Sequence, residues 1–391
     1  MDQVTTRSDL ASAPAGAGAA AGPDSAPTAI RRALDPVGPG AKAVFLFASP
    51  DLGADRVAAQ AQAAAGEVPV IGMTSDACFG APGVVRGGCS ALALGAPYDV
   101  SWAIAREAGR DPRDAGRRAA AEAMAALDPE LPHSVLLLML YQPSGDQAEA
   151  IAGAYAVTGG AVPFAGGAAA GNPPALIAEG EAPVDAVIAV AIGSPEPIGV
   201  GMAHGCRPKG VPAIVTDSEG MIVRQLDGRP AQEVYLEKHG MTGTDMDDEQ
   251  FGDFAAVHPL AQPELSGDVR LRHVISREPG GGLRSVTHIP VNAAVHFTEQ
   301  TPEDIVSSTH DAVAAARAGL GGQPVRAALV FDCAGRKHVL GAALDSEAGE
   351  ILAAFGSPAP PAAGLYTRGE VGRVRGAKGD RNHALVVVAL A

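Results

Sequence analysis

Residues 135–167 read VLLLMLYQPSGDQAEAIAGAYAVTGGAVPFAGG. The apolar run Val135 to Leu140 suits a strand covered on both faces. Gln142-Pro143-Ser144 turns the chain through a polar loop, and Asp146 to about Thr158 reads as a helix. Val162-Pro163-Phe164-Ala165-Gly166 resumes an extended segment that ends in glycines, and Ala186 to Ile192 supplies a third apolar strand. A strand–helix–strand step of this length favours parallel pairing through a right-handed crossover. The third strand, reached through a loop, adds antiparallel.

The same order of events occurs on either side of this stretch. Upstream, Ala43 to Ala48 is followed by Ser49-Pro50-Asp51, a helix from about Ala54 to Ala65, Val68 to Gly72 and Ser90 to Leu94. Downstream, Ala327 to Phe331 is followed by Cys333-Ala334-Gly335-Arg336, a helix from about Val339 to Phe355, Ala362 to Tyr366 and Ala384 to Leu390. Between the second and third copies, Thr216 to Gly220 and Gly280-Gly281-Gly282 mark turns between short apolar or alternating runs. Thr301-Pro302-Glu303-Asp304 combines an N-cap, a first-turn proline and first-turn acids, and predicts a helix to about Ala318. The expected fold is α/β: repeated β-α-β-β units forming mixed sheets covered by helices, with a strand-rich insertion between the second and third units.

Composition narrows the function. In 391 residues, Lys+Arg is 29 and Asp+Glu 44, a net charge of −15. Such a chain is repelled by phosphate backbones and anionic headgroups, which disfavours nucleic-acid and membrane-surface roles. The apolar runs are strand-length, short of the ~20 residues of a membrane-spanning helix. Four scattered cysteines form no CxxC pair and fit a reducing cytoplasm. The first 28 residues, rich in Ala, Gly, Pro, Ser and Thr, read as a flexible tail.

In βαβ architecture, ligands gather beyond the carboxyl ends of parallel strands. The candidates at those ends are Thr74, Ser75, Asp76, Gly166, Gly167, Asn172, Arg336, Tyr366, Thr367, Glu370 and, near the last strand, Asn382. They suit a small polar molecule with both amine and carboxylate character. Arg336 is placed to clamp a carboxylate, and Asp76 or Glu370 to hold an ammonium. The polar tips of the three units are expected to ring one shared hollow. Against this stands the plainer role of such residues in capping helices and satisfying turns. A thiol or carboxylate enzyme would use Cys333, Asp76 or Glu370, but no complete nucleophile–base set is legible. The ten histidines show no zinc-hydrolase spacing, and no phosphate-loop motif occurs.

Several segments read in order carry a further signal: FLFASP (45–50), VIGMTSD (70–76), PFAGGAAAGN (163–172), IGVGMAHGC (198–206), QLDGRPAQEVY (225–235), VFDCAGR (330–336) and GLYTRGEVG (364–372). Together they resemble the FIST family, a bacterial sensory module of an N-terminal and a C-terminal FIST domain, here 29–227 and 228–391. The resemblance implies a cytoplasmic ligand-binding sensor of signal transduction, with amino-acid-like metabolites as ligands. It leaves no segment for a kinase or cyclase, so output is expected to pass through a partner such as a histidine kinase. Some members are haem proteins that sense nitric oxide; that alternative would place an axial ligand at His204. Arg381-Asn382-His383-Ala384 stands where the family has His-Asn, so a ligand-binding histidine is either lost here or moved to His383.

Overall fold

The computed structural model describes residues 12–80, 83–264, 269–374, 376 and 379–391. The three units each build one mixed sheet. In the first, Ala41–Ala48 and Val70–Thr74 run parallel around the helix Ala54–Ala65, and Gly88–Gly95 adds antiparallel to Ala41–Ala48. His133–Leu140, Phe164–Ala168 and Ala186–Ser194 repeat this in the second. Ala327–Cys333, Ala362–Thr367 and Leu385–Leu390 repeat it in the third.

Each unit also opens with a strand and a helix ahead of the predicted pattern. The opening strands are Ala15–Ala21, Asp99–Arg106 and Ile198–Ala203, each antiparallel to the last strand of its unit. The helices Ser25–Leu34, Pro112–Ala126 and Pro302–Ala318 follow them. This corrects the predicted tail: residues 15–28 are a sheet strand and the start of a helix, and residues 1–11 lie outside the described part. An Ala/Gly run looks like a linker because it lacks large apolar side chains. Here small residues are required, since a β-carbon at Gly16 or Gly18 would collide with the carbonyl oxygens of Ala33 and Ala29 in the overlying helix. Gly199 and Gly201 play the same part beneath Ala316 and Ala312 of Pro302–Ala318.

That last helix starts and stops where predicted. Thr301 and Asp304 form a reciprocal capping box around Pro302. By contrast, the predicted Val339–Phe355 helix is two helices, Ala334–Leu340 and Leu344–Ala354, broken at Gly341, whose φ of 50° is left-handed.

Successive strand residues point to opposite faces, and both faces are buried. Phe45, Phe47, Leu137, Met139, Leu329 and Phe331 point inward to one core shared by the three sheets. Val44, Leu46, Leu136, Leu138, Ala328 and Val330 point outward beneath helices. Unbroken apolar runs such as VLLLML follow from this double burial.

The sheets also exchange strands in a ring. The segment Cys78–Gly80, between the second and third strands of the first unit, pairs with Ala362–Thr367 of the third. Glu370–Arg373 of the third pairs with Phe164–Ala168 of the second. Leu176–Ala178 of the second pairs with Val70–Thr74 of the first. The strand-rich insertion interrupts the third unit between Ile198–Ala203 and its helix. It runs from Arg207–Glu219 to Ala294–Glu299 and has its own core around Tyr235, Phe251 and Phe297.

The helix–strand contacts at the paired glycines set a clear expectation. Gly201→Val should destabilise the fold by more than about 3 kcal/mol, because the helix Pro302–Ala318 must lift off its sheet. Gly160→Ala, with open space at the β-carbon, should change stability by less than about 0.5 kcal/mol. Urea denaturation of both variants measures the contrast.

Candidate functional site

The strand exchange draws the carboxyl ends of the three second strands together. Ala170 N–H donates to Thr74 O and Thr74 N–H to Ala175 O, both at 2.9 Å, joining the first and second units. Ala168 N–H donates to Gly369 O at 2.9 Å and Arg368 N–H to Ala168 O at 3.0 Å, joining the second and third. Tyr366 N–H donates to Ala77 O at 3.1 Å, and the Ser75 hydroxyl to Tyr366 O at 2.8 Å, closing the ring.

The tips therefore meet in a solid hydrogen-bonded junction, and the expected shared hollow is not at its centre. Thr74 and Ser75 are spent on this junction, with Thr74 Oγ1 bonded to Ala170 O at 2.8 Å. Gly166 and Gly167 are buried strand positions where a β-carbon would strike Leu138 O and the Thr367 side chain. Asn172 is exposed beside the junction.

The hollow lies to one side, at the strand ends of the third unit. A cavity of about 610 Å³ is lined by Cys333, Ala334, Gly335 and Lys337 after the first strand, and by Thr367, Arg368 and Gly369 after the second. Asp76 reaches in from the first unit, with Oδ2 3.8 Å from Arg368 Nη2. Asn382 completes the floor; His273, Ile275 and Val286 of the insertion form the opposite wall. The insertion is held there by charge. Arg270 and Arg272 both pair with the buried carboxylate of Asp380, Arg270 Nη1 at 3.0 Å. Burial alone would raise Asp380, but the two guanidiniums hold it below the usual range. Asn382 Oδ1 accepts from His273 N–H at 3.1 Å, and His273 Nδ1 lies 2.8 Å from His383 Nε2.

Arg336 does not face this cavity, which corrects its expected role as a carboxylate clamp. It is fully buried, bonded to Asp332 at 2.9 Å and to Glu347, with Ser308 and Thr309 hydroxyls at 3.1 Å. Tyr366 lies in the same network, its hydroxyl 3.4 Å from Glu347 Oε2. Burial, then the charge of Glu347, pushes Asp332 well above its ordinary value. Lining residues outside the candidate set include Lys337, Arg368, His273, Ile275 and Val286. Lys337 is one position from Arg336, and a helix turns ~100° per residue, so the neighbour faces the cavity while Arg336 faces the core.

Cys333 lines the cavity. Burial, and then the neighbouring Glu370, pushes its thiol well above the ordinary value, so a thiolate nucleophile is disfavoured. A second cavity of about 370 Å³ holds His204, with Asn382 in the wall of both. His204 Nδ1 accepts from Cys206 N–H at 3.1 Å. Arg207, Asp304, Asp311 and Arg381 give this cavity charged walls. Among the described residues, no group of three or more His, Cys, Asp or Glu side chains is arranged to hold a metal.

Glu370 is buried and is not among the residues that line the cavity. Its Oε2 accepts from Ala384 N–H at 3.2 Å, and its Oε1 lies 2.9 Å from the Thr367 hydroxyl, which is 3.0 Å from Asp332 O. The chain Glu370–Thr367–carbonyl has one proton per link when Glu370 is protonated and donates. Burial pushes its pKa from 4.5 up to about 8. The folded state thus keeps a proton that the unfolded chain releases between those values, and stability falls as pH rises through that window. Glu370→Gln, which mimics the protonated form, should gain on the parent by about 2–4 kcal/mol between pH 5 and pH 8. Urea denaturation across that range tests this; a pH-independent difference between the two proteins would refute it.

The family model for the FIST N domain matches residues 42–229, and that for the FIST C domain matches residues 231–373. An uncharacterized protein of Mycobacterium tuberculosis (strain ATCC 25618 / H37Rv) is 31% identical over 183 residues, 45% of this chain and 46% of its own. An uncharacterized protein of Mycobacterium bovis (strain ATCC BAA-935 / AF2122/97) is 29% identical over 189 residues, with the same shares. The chain spans about half the length of the curated relatives it matches. With both models together covering most of its length, the chain belongs to the FIST family, whose domains are sensory modules of signal transduction.

Proposed function

We propose that this protein is a cytoplasmic sensor that binds a small polar, amino-acid-like metabolite and signals through a partner protein such as a histidine kinase. One observation carries the reading: the polar strand ends of the third unit are walled by a separate strand-rich insertion, leaving a half-open cavity with both signs of charge. Concave sites with a few convergent polar groups suit small ligands. Asp76, Lys337, Arg368, Thr367 and Asn382 supply those groups. Binding without chemistry is favoured by the raised thiol of Cys333 and by the engagement of Arg336 in the core. Among the described residues, no helix is long and apolar enough to cross a membrane.

Ligand occupancy would be felt by the insertion, because Asn382 and His273 both line the cavity and bond to each other. A partner that reads the position of the insertion would then read the ligand.

A thermal-shift screen of amino acids and small carboxylic acids tests the reading. At a hundredfold excess over Kd, a true ligand stabilises by about 2.7 kcal/mol, so Tm must rise. The shift should shrink in Arg368→Ala and persist in Asn172→Ala. No shift with any compound at millimolar concentration would sink the metabolite-sensor reading.

A further inference from the structure

We infer that the cavity takes an α-amino acid with an aliphatic side chain: carboxylate on Lys337, ammonium on Asp76, side chain against Ile275 and Val286. This deepens the sensor reading above and rests on it. Three observations converge.

The first is Lys337. It is half-buried on the cavity wall, its ammonium 5.9 Å from the centre of the Tyr366 ring. Among the described residues, no carboxylate oxygen lies within the 4.0 Å of an ion pair with it. Burial disfavours its charge, and Asp76 on the same cavity supports it from a distance. A half-buried cation with no anion in contact is completed by an anionic group of the ligand.

The second is Asp76. Its nearest cation is Arg368 at 3.8 Å, a distance at which an ion pair is loose. The carboxylate thus has acceptor sites left for an ammonium. Lys337 and Asp76 together present a plus and a minus to one small volume, the pattern complementary to a zwitterion.

The third is the insertion wall. Ile275 is 43% exposed and Val286 half-buried, both facing this cavity. An exposed large aliphatic residue on a concave polar site is covered when an apolar group binds beside it. A polar side chain on the ligand would find no hydrogen-bond partner on Ile275 or Val286.

Isothermal titration of the full chain tests this with L-leucine, L-isoleucine, L-valine, L-alanine, L-aspartate and L-lysine. Two analogues join them: isoamylamine, which lacks the carboxylate, and 4-methylpentanoate, which lacks the ammonium. The aliphatic amino acids should bind, alanine about tenfold or more weaker than leucine, and neither analogue should bind measurably. Lys337→Met should weaken leucine about 10- to 100-fold. Ile275→Ser, at an exposed position, should weaken leucine about tenfold and leave alanine unchanged. The inference falls, and the sensor reading stands, if aspartate or lysine binds as well as leucine, if either analogue matches it, or if Lys337→Met has no effect. If no amino acid, acid or amine binds at all, both fall together.

Discussion

Main-chain groups at the carboxyl ends of three short strands cannot be satisfied within their own units. Thr74, Ala168 and Tyr366 each find partners in a neighbouring unit. Buried N–H and C=O groups left unpaired cost about 1–3 kcal/mol each, so this junction commits three otherwise similar units to a single arrangement. The exchange of short strands follows from the same requirement, because each lent segment pairs with a sheet edge that would otherwise be bare. With the junction closed, the inward faces of the sheets share one core, and the cavity lies to one side of it.

Symmetry is broken by the insertion. Among the described residues, the 269–286 wall stands over the strand ends of the third unit. There polar strand ends, a neighbouring unit's carboxylate and an independent subdomain share a cavity. The Asp380 ion pairs and the His273–Asn382 bond hold that wall in place. Both tethers come from residues 380–382, just before the final strand of the third sheet.

Much of this architecture was legible in the sequence. Runs such as VLLLML and AALVF announce strands covered on both sides, and Thr301-Pro302 announces a helix start. The first strand was not legible, because an Ala/Gly stretch signals flexibility by composition while its small size is what lets a helix lie across it. At the site, position along the chain points to the strand ends that border the cavity and to Asp76, Thr367 and Asn382 in its lining, but not to the other side chains there. Arg336 and Lys337 are adjacent, and only the rotation of the helix sends one to the core and the other to the cavity. Ile275 and Val286 lie far away in sequence, and nothing local says what they will face. Asp76 reached the site only because its loop is lent to another sheet.

That lending has a consequence for how the two FIST domains behave apart. A cut near residue 230 would leave Cys78–Gly80 in a piece without the Ala362–Thr367 strand it pairs with, and would strip that strand of its neighbour in the other piece. The opening strand Ile198–Ala203 would likewise be severed from Leu385–Leu390. Neither fragment could hide its raw edges alone. The boundary between the family models is thus a seam that paired strands cross, and not a place where the protein comes apart.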